Sequence, residues 1–147
     1  YAPRTVGGDL RVARLAVGDT HACAVATDGA VWCWGGTPTG ALARPAAGAD
    51  SSVRVPTRVA VPGRFVHVTV GDHFSCALAA DGTPWCWGRN AFPITGTGPA
   101  VAGLLGTGQG AAIGVPLPVP GAPALAALSA GPTHVCGLTA DGAAWCW

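Results

Sequence analysis

Six cysteines are the softest nucleophiles in this chain. They stand as three pairs with nine residues between partners: Cys23 and Cys33, Cys76 and Cys86, Cys136 and Cys146. Disulfides, buried free thiols and a metal site compete for such a pattern. Zinc modules favour a close pair with about two to four residues between ligands, which this spacing lacks. Each pair instead encloses an Asp-Gly dipeptide: Asp28-Gly29, Asp81-Gly82 and Asp141-Gly142. Glycine accepts positive φ without steric cost, so Asp-Gly is a turn signal. A three-residue loop of Thr27, Asp28 and Gly29 closes a β-hairpin in which Val25 faces Val31, Ala24 faces Trp32 and Cys23 faces Cys33. Alternation makes the cysteine pair non-hydrogen-bonded, where Cα atoms approach to about 4.5 Å, within reach of a disulfide. The same register serves the other two pairs. The spacing therefore predicts three intra-hairpin disulfides and an oxidising, extracytoplasmic setting, whether secreted, periplasmic or cell-surface.

The remaining polar candidates recur with the cysteines. His21 and His134 occupy one repeated position, where the middle copy has Phe74 with His73 one place early. Asp72-His73 and the Asp19…His21 pair have the residue types for acid–base work. Catalysis needs a group once, in one asymmetric pocket, so recurrence favours structural roles for His21, His134, Asp28, Asp81 and Asp141. No serine or free cysteine stands in a nucleophile motif beside them, and the chain has no glutamate. Residues 103–110 are glycine-rich but lack the lysine and the following helix of a phosphate loop. The expectation is a non-enzymatic protein with no cofactor and no metal.

The elements that position these residues form a repeat. Gly18, Gly71 and Gly131 each stand five residues before a first cysteine, 53 and then 60 residues apart. Periods of that size indicate a modular β architecture. In each hairpin the cysteines share one face with apolar residues. Ala22, Ala24, Trp32 and Trp34 share the other, with Trp85, Trp87, Trp145 and Trp147 in equivalent places. The tryptophans could form a cage for a sugar or a cation, but strict repetition favours core packing. With both faces apolar, each hairpin must be covered on both sides.

A strand precedes each hairpin, at residues 10–17, 65–70 and 125–130, and an edge strand follows two of them, at 53–61 and 114–121. Pro56 suits an edge. Residues 36–52 and 89–114 read as loops. The repeats run over about 10–61, 64–120 and 122–147, within one domain spanning 1–147. A composition that is 50% hydrophobic, with 23 Gly and 13 Pro and no helical period, reads as all-β. No apolar run is long enough for a membrane helix. A net charge of +1, from eight arginines and seven aspartates, gives no electrostatic case for nucleic acid.

Residues 17–35 carry Gly18-Asp-Thr-His21, an apolar strand, Asp28-Gly29 and Trp32-Cys-Trp34-Gly35. This resembles the regulator of chromosome condensation repeat, as do the copies from Gly71 and Gly131. Arg89-Asn90 followed by Leu105-Gly106-Thr107-Gly108 is similar to that family's Gly-x-Asn…Leu-Gly tail. The first copy, with Gly36-Thr37-Pro38, departs from it. The cysteine-bearing form resembles secreted bacterial members. The resemblance implies a β-propeller with antiparallel four-stranded blades. At three repeats it implies a partial propeller of about three blades, a fragment of a seven-bladed ring whose neighbouring repeats would cover the outer faces. Trp145 and Trp147 are expected on one uncovered face, and open edge strands add a second route to self-association.

On this reading the chain presents inter-repeat loops to a protein partner. Other readings are a guanine nucleotide exchange factor-like or enzyme-inhibitor propeller, a structural surface array, and a secreted hydrolase or lyase. The candidate binding rim is Arg44, Arg54, Arg58 and Arg64 in the first inter-repeat segment, with Arg89 and Asn90 opening the second. No nucleic-acid partner is expected.

Overall fold

In the computed structural model of the chain, residues 2, 4–36, 40–43, 52–92, 101–108 and 112–147 are described. They form thirteen strands and no helix, and hence no helix long and apolar enough to cross a membrane. The first sheet comprises β1 (Val12–Val17), β2 (His21–Ala26), β3 (Val31–Gly36) and β4 (Ser52–Arg58), in that spatial order. The second repeats the pattern with β5 (Phe65–Val70), β6 (Phe74–Ala79), β7 (Pro84–Arg89) and, outermost, β10 (Ala112–Pro118). The third contains β11 (Leu125–Ala130), β12 (Val135–Thr139) and β13 (Ala144–Cys146). A two-strand ribbon of β8 (Ala91–Phe92) and β9 (Val101–Ala102) lies inside the segment expected to be loop. These antiparallel sheets are three consecutive blades of a β-propeller, a partial propeller.

The hairpin register follows from the turns. Gly29 has φ of 85°, the Gly29 N–H donates to Ala26 O at 2.9 Å, and Ala26 N–H donates to Ala30 O at 2.8 Å. A hydrogen-bonded closing pair makes the pair three steps back non-hydrogen-bonded. Cys23 accordingly lies opposite Cys33 with Cα atoms 4.1 Å apart and the sulfurs at disulfide distance. Cys76 with Cys86 and Cys136 with Cys146 repeat this geometry. The aspartate of each turn caps it. Asp28 Oδ1 accepts from Ala30 N–H and Asp81 Oδ1 from Thr83 N–H, both at 2.9 Å.

The blades stack in one direction. The disulfide face of each blade meets the indole face of the next. Cys23, Val25, Val31 and Cys33 pack against Ala77, Ala79 and Trp87. Phe74, Cys76, Leu78 and Cys86 pack against Leu125, Leu128, Val135 and Trp147. The Trp147 indole of the third blade therefore points inward to the second, contrary to the expectation that it lies on an uncovered face. Trp147 packs on that core, while Trp145 keeps 48% exposure. The exposed face of the third blade is its disulfide face, with Leu138 and Cys146.

Strand lengths also differ from expectation. The edge strand of the first blade ends at Arg58, and that of the second begins at Ala112. Between Trp-Cys-Trp-Gly and the edge strand, the described residues of both repeats include a tight turn. Gly40 to Ala43 and Gly103 to Gly106 make the same turn, closed by Ala43 N–H to Gly40 O at 2.8 Å and Gly106 N–H to Gly103 O at 3.0 Å. Ala43, at φ of 55°, occupies the left-handed place that Gly106 takes at 65°.

Candidate interaction surface

Each blade has two ends. One carries the Asp-Gly turns. The other carries Gly18, Gly71 and Gly131 together with the chain leaving β3 and β7. The strands fix this division, because His21 pairs with Gly35 at one end of the hairpin and Val25 with Val31 at the other.

At the loop end the repeated histidines part company. His21 is 3% exposed, and its Nε2 lies 2.8 Å from Ser75 Oγ on the second blade. Ser75 donates to Ala41 O at 3.0 Å, so its oxygen is left to accept from the imidazole, which fixes the neutral Nε2–H tautomer. Trp87 Nε1–H donates to the same carbonyl at 2.8 Å. Burial pushes the His21 pKa down to about 4, helped by His73 and opposed by Asp72. This is a buried latch between blades, and it leaves His21 no access to a substrate. Phe74 is fully buried in the equivalent place and faces Val135 in the second core. Its ring explains Gly71, where an added Cβ would stand 2.1 Å from a ring carbon. His134 is exposed and rests over Gly131 in the same manner.

His73 Nε2 lies 3.4 Å from Asp72 Oδ1, with His73 at φ of 75°. A cleft of about 400 Å³ lies beside them, lined by Gly18, Asp19, Gly71, Asp72, Gly131 and Pro132 among others. No group of three His, Cys, Asp or Glu side chains placed to hold a metal occurs among the described residues. At the turn end, Asp81 is held below the ordinary carboxylate value by Thr83 N–H, and Asp141 by the Thr139 hydroxyl.

The structure does not gather the proposed rim into one patch. Arg89 lies at the loop end, where its N–H donates to His73 O. Arg58 pairs with Trp32, and Arg64 lies against Gly29, both toward the turn end. Arg54 is exposed on β4, and Arg44 lies outside the described residues. Asn90 is a correction. It is fully buried, its Oδ1 accepts Leu105 N–H at 2.7 Å and its carbonyl accepts Gly103 N–H at 2.9 Å. Its amide organises the turn over the third blade and presents nothing to a partner. Sequence reasoning missed Ser75 and Ala41. The signal for Ser75 was its place directly before a repeated cysteine, where the other copies have Ala22 and Val135.

Comparison with known proteins follows this architecture. Two family models, both described as regulator of chromosome condensation (RCC1) repeat, match residues 28–78 and residues 12–37 with 65–92. No curated protein matches the chain. Human WBSCR16 superposes with a TM-score of 0.76 at 22% identity, over 99% of this chain and 35% of its own. Prp20p from Saccharomyces cerevisiae, studied for its binding to Gsp1p and histones, gives 0.71 at 25% identity, over 93% and 33%. The ectodomain of the Physcomitrella patens receptor kinase CR4 gives 0.58 at 25% identity, over 100% and 32%. The chain thus spans about a third of the length of these proteins.

Proposed function

We propose that this chain, which carries RCC1 repeats over residues 12–92, belongs to a non-enzymatic protein-interaction propeller that works outside the cytoplasm and presents its inter-repeat segments to a protein partner. The observation that carries this reading is the fate of the repeated polar groups. His21 is consumed in a blade-to-blade latch, and Asp28 and Asp81 in turn closure. What differs between repeats, and so is available for selective recognition, is the chain between Trp-Cys-Trp-Gly and the edge strand, at residues 36–52 and 89–114. Segments on a rigid scaffold are the usual carriers of binding. Prp20p, with its binding to Gsp1p and histones, is a precedent for protein contact on this fold. The three cysteine pairs and the likeness to a receptor ectodomain support the extracytoplasmic setting.

The test is hydrogen exchange on the chain with and without a partner captured from secreted or periplasmic fractions. Protection at residues 36–52 or 89–114 supports the reading. Protection confined to the Asp-Gly turns overturns the assignment to these segments. Peptide mapping without reductant should return Cys23–Cys33, Cys76–Cys86 and Cys136–Cys146. Alkylatable thiols in freshly exported protein would remove the argument for location.

A further inference from the structure

The seam between the first and second blades opens, at its turn end, into a cleft of about 320 Å³. Val25, Ala26 and Phe65 form its apolar floor and are themselves buried. Arg14 and Arg64 line its walls, and both are exposed. No carboxylate lines the cleft. Neither Arg14 nor Arg64 forms an ion pair among the described residues. Arg14 Nη1 donates to the carbonyl of its own neighbour Ala13 at 3.0 Å. Asp28, on the adjoining turn, spends Oδ1 on Ala30 N–H. The positive field of Arg14 reaches His67, whose pKa is lowered by burial first and by Arg14 second.

The second seam provides an internal control. Aligned on the cysteines, Arg14 corresponds to His67 and Arg64 to Ala124. What closes the two seams is the same in both. Phe65 N–H donates to Gly29 O and Leu125 N–H to Gly82 O, each at 2.9 Å. An added Cβ at Gly29 would meet Arg64 Cβ at 3.1 Å and Nε at 3.3 Å, and one at Gly82 would meet Ala124 Cβ at 3.0 Å. A methyl group therefore suffices where Arg64 stands, and two guanidiniums are not needed to join blades. Arg14 lies in β1 and Arg64, just before β5, accepts Ala80 N–H at 2.8 Å, so the backbones that carry both guanidiniums are held beside an apolar floor.

We propose that this cleft docks a carboxylate-bearing peptide segment of a partner protein. Arg14 and Arg64 hold the carboxylate, and an adjacent apolar side chain covers Val25 and Phe65. Guanidinium groups suit this role because their planar fork matches a carboxylate. A net charge of +1 argues for a local acidic group over a polyanion. The proposal deepens the reading of the chain as an interaction module and rests on it, but places a site at the end opposite the inter-repeat loops.

The test uses the whole chain and labelled short peptides in fluorescence anisotropy at low salt, with no partner required. Failure here leaves the loop-protection experiment untouched. One peptide is capped at both ends and carries Asp or Glu beside Leu or Phe. Its Asn/Gln counterpart is the neutral control, and a third peptide offers only a free C-terminal carboxylate. Binding by either carboxylate form and not by the neutral form is expected, and the stronger binder identifies the source. Added salt should weaken it. Arg14→Gln and Arg64→Gln should each weaken binding about fivefold, the upper range for exposed pairs, with unchanged melting. Arg14→Glu should shift preference to a Lys peptide. The proposal is overturned by absence of binding, by equal binding of the neutral peptide, or by wild-type affinity in the Arg14→Gln, Arg64→Gln double variant. Inorganic phosphate binding as tightly, with the same arginine dependence, would also overturn it in favour of a general anion site.

Discussion

The two blade seams are built on one backbone plan but differ in chemistry. The first is polar at its loop end, where His21, Ser75, Ala41 and Trp87 form a closed hydrogen-bond set. The second is apolar at the same place, where Phe74 meets Val135 and the Trp147 indole nitrogen is buried without a partner. The second seam has a smaller polar contact elsewhere, from Ala130 N–H to Thr69 Oγ1 at 2.9 Å. A seam therefore tolerates either solution provided both sides change together. A buried imidazole needs a hydroxyl opposite it, and a buried phenyl ring needs an aliphatic side chain.

The strongest way to break the second seam is Phe74→Ala. It should destabilise the chain by about 3–5 kcal/mol in denaturant unfolding, since a fully buried ring leaves a cavity. A loss below about 1 kcal/mol would show that the seam does not depend on this contact.

The first seam should instead respond to pH. The pKa of His21 falls from 6.5 in the unfolded chain to about 4 when folded. The unfolded state thus binds the proton more readily between these values. The contribution of the latch is complete above about pH 6.5 and is lost as pH falls to about 4, on the order of 3 kcal/mol. His67, lowered in the same direction, adds a smaller slope of the same sign. Replacing His21 by Phe together with Ser75→Val should remove most of the slope between about pH 4 and 6.5, leaving the share of His67 and the more acidic share of Asp81 and Asp141. An unchanged profile in the double variant would remove His21 as its cause.

Trp87→Phe and Trp147→Phe compare the seams at finer scale. The first leaves Ala41 O with one donor fewer and should cost about 1 kcal/mol more than the second, in which no hydrogen bond is lost. Equal costs would mean the Trp87 bond contributes nothing net. The smallest effect is kinetic. Cys23, Cys33, Cys76 and Cys86 are at most 1% exposed, whereas Cys146 is exposed. Under mild reductant, timed alkylation should label Cys136 and Cys146 first, because exchange requires access to sulfur. Uniform labelling would imply that blades open together.

Much of this was legible because local rules agree. Asp-Gly turns and the cysteines specify the same register, so Cys23 opposite Cys33 could be read without a structure. Pro56 marked an outer strand. What was not legible depends on long-range placement. Asn90 carries a polar side chain at a loop edge, and only the return of the chain at Leu105 shows why it is buried. Ala43 hid a left-handed turn because alanine seldom takes that conformation, and the familiar glycine is absent from the first copy. The direction in which indoles face depends on which blade covers which side. Alternation along one strand defines two faces but does not order them.

The outer strands β4 and β10 carry a further consequence. Among the described residues each pairs on one side only, β4 with β3 and β10 with β7, and both ladders are broken by a register shift. Pro56, Pro116 and Pro118 sit in them and offer no N–H to a newcomer. A foreign strand seeking to lengthen either sheet meets missing donors and a bent ladder. These two margins are thereby poor templates for the strand addition that turns exposed sheet edges into fibrils. The expected route to self-association through open edges is thereby narrowed to strands without proline, such as β13.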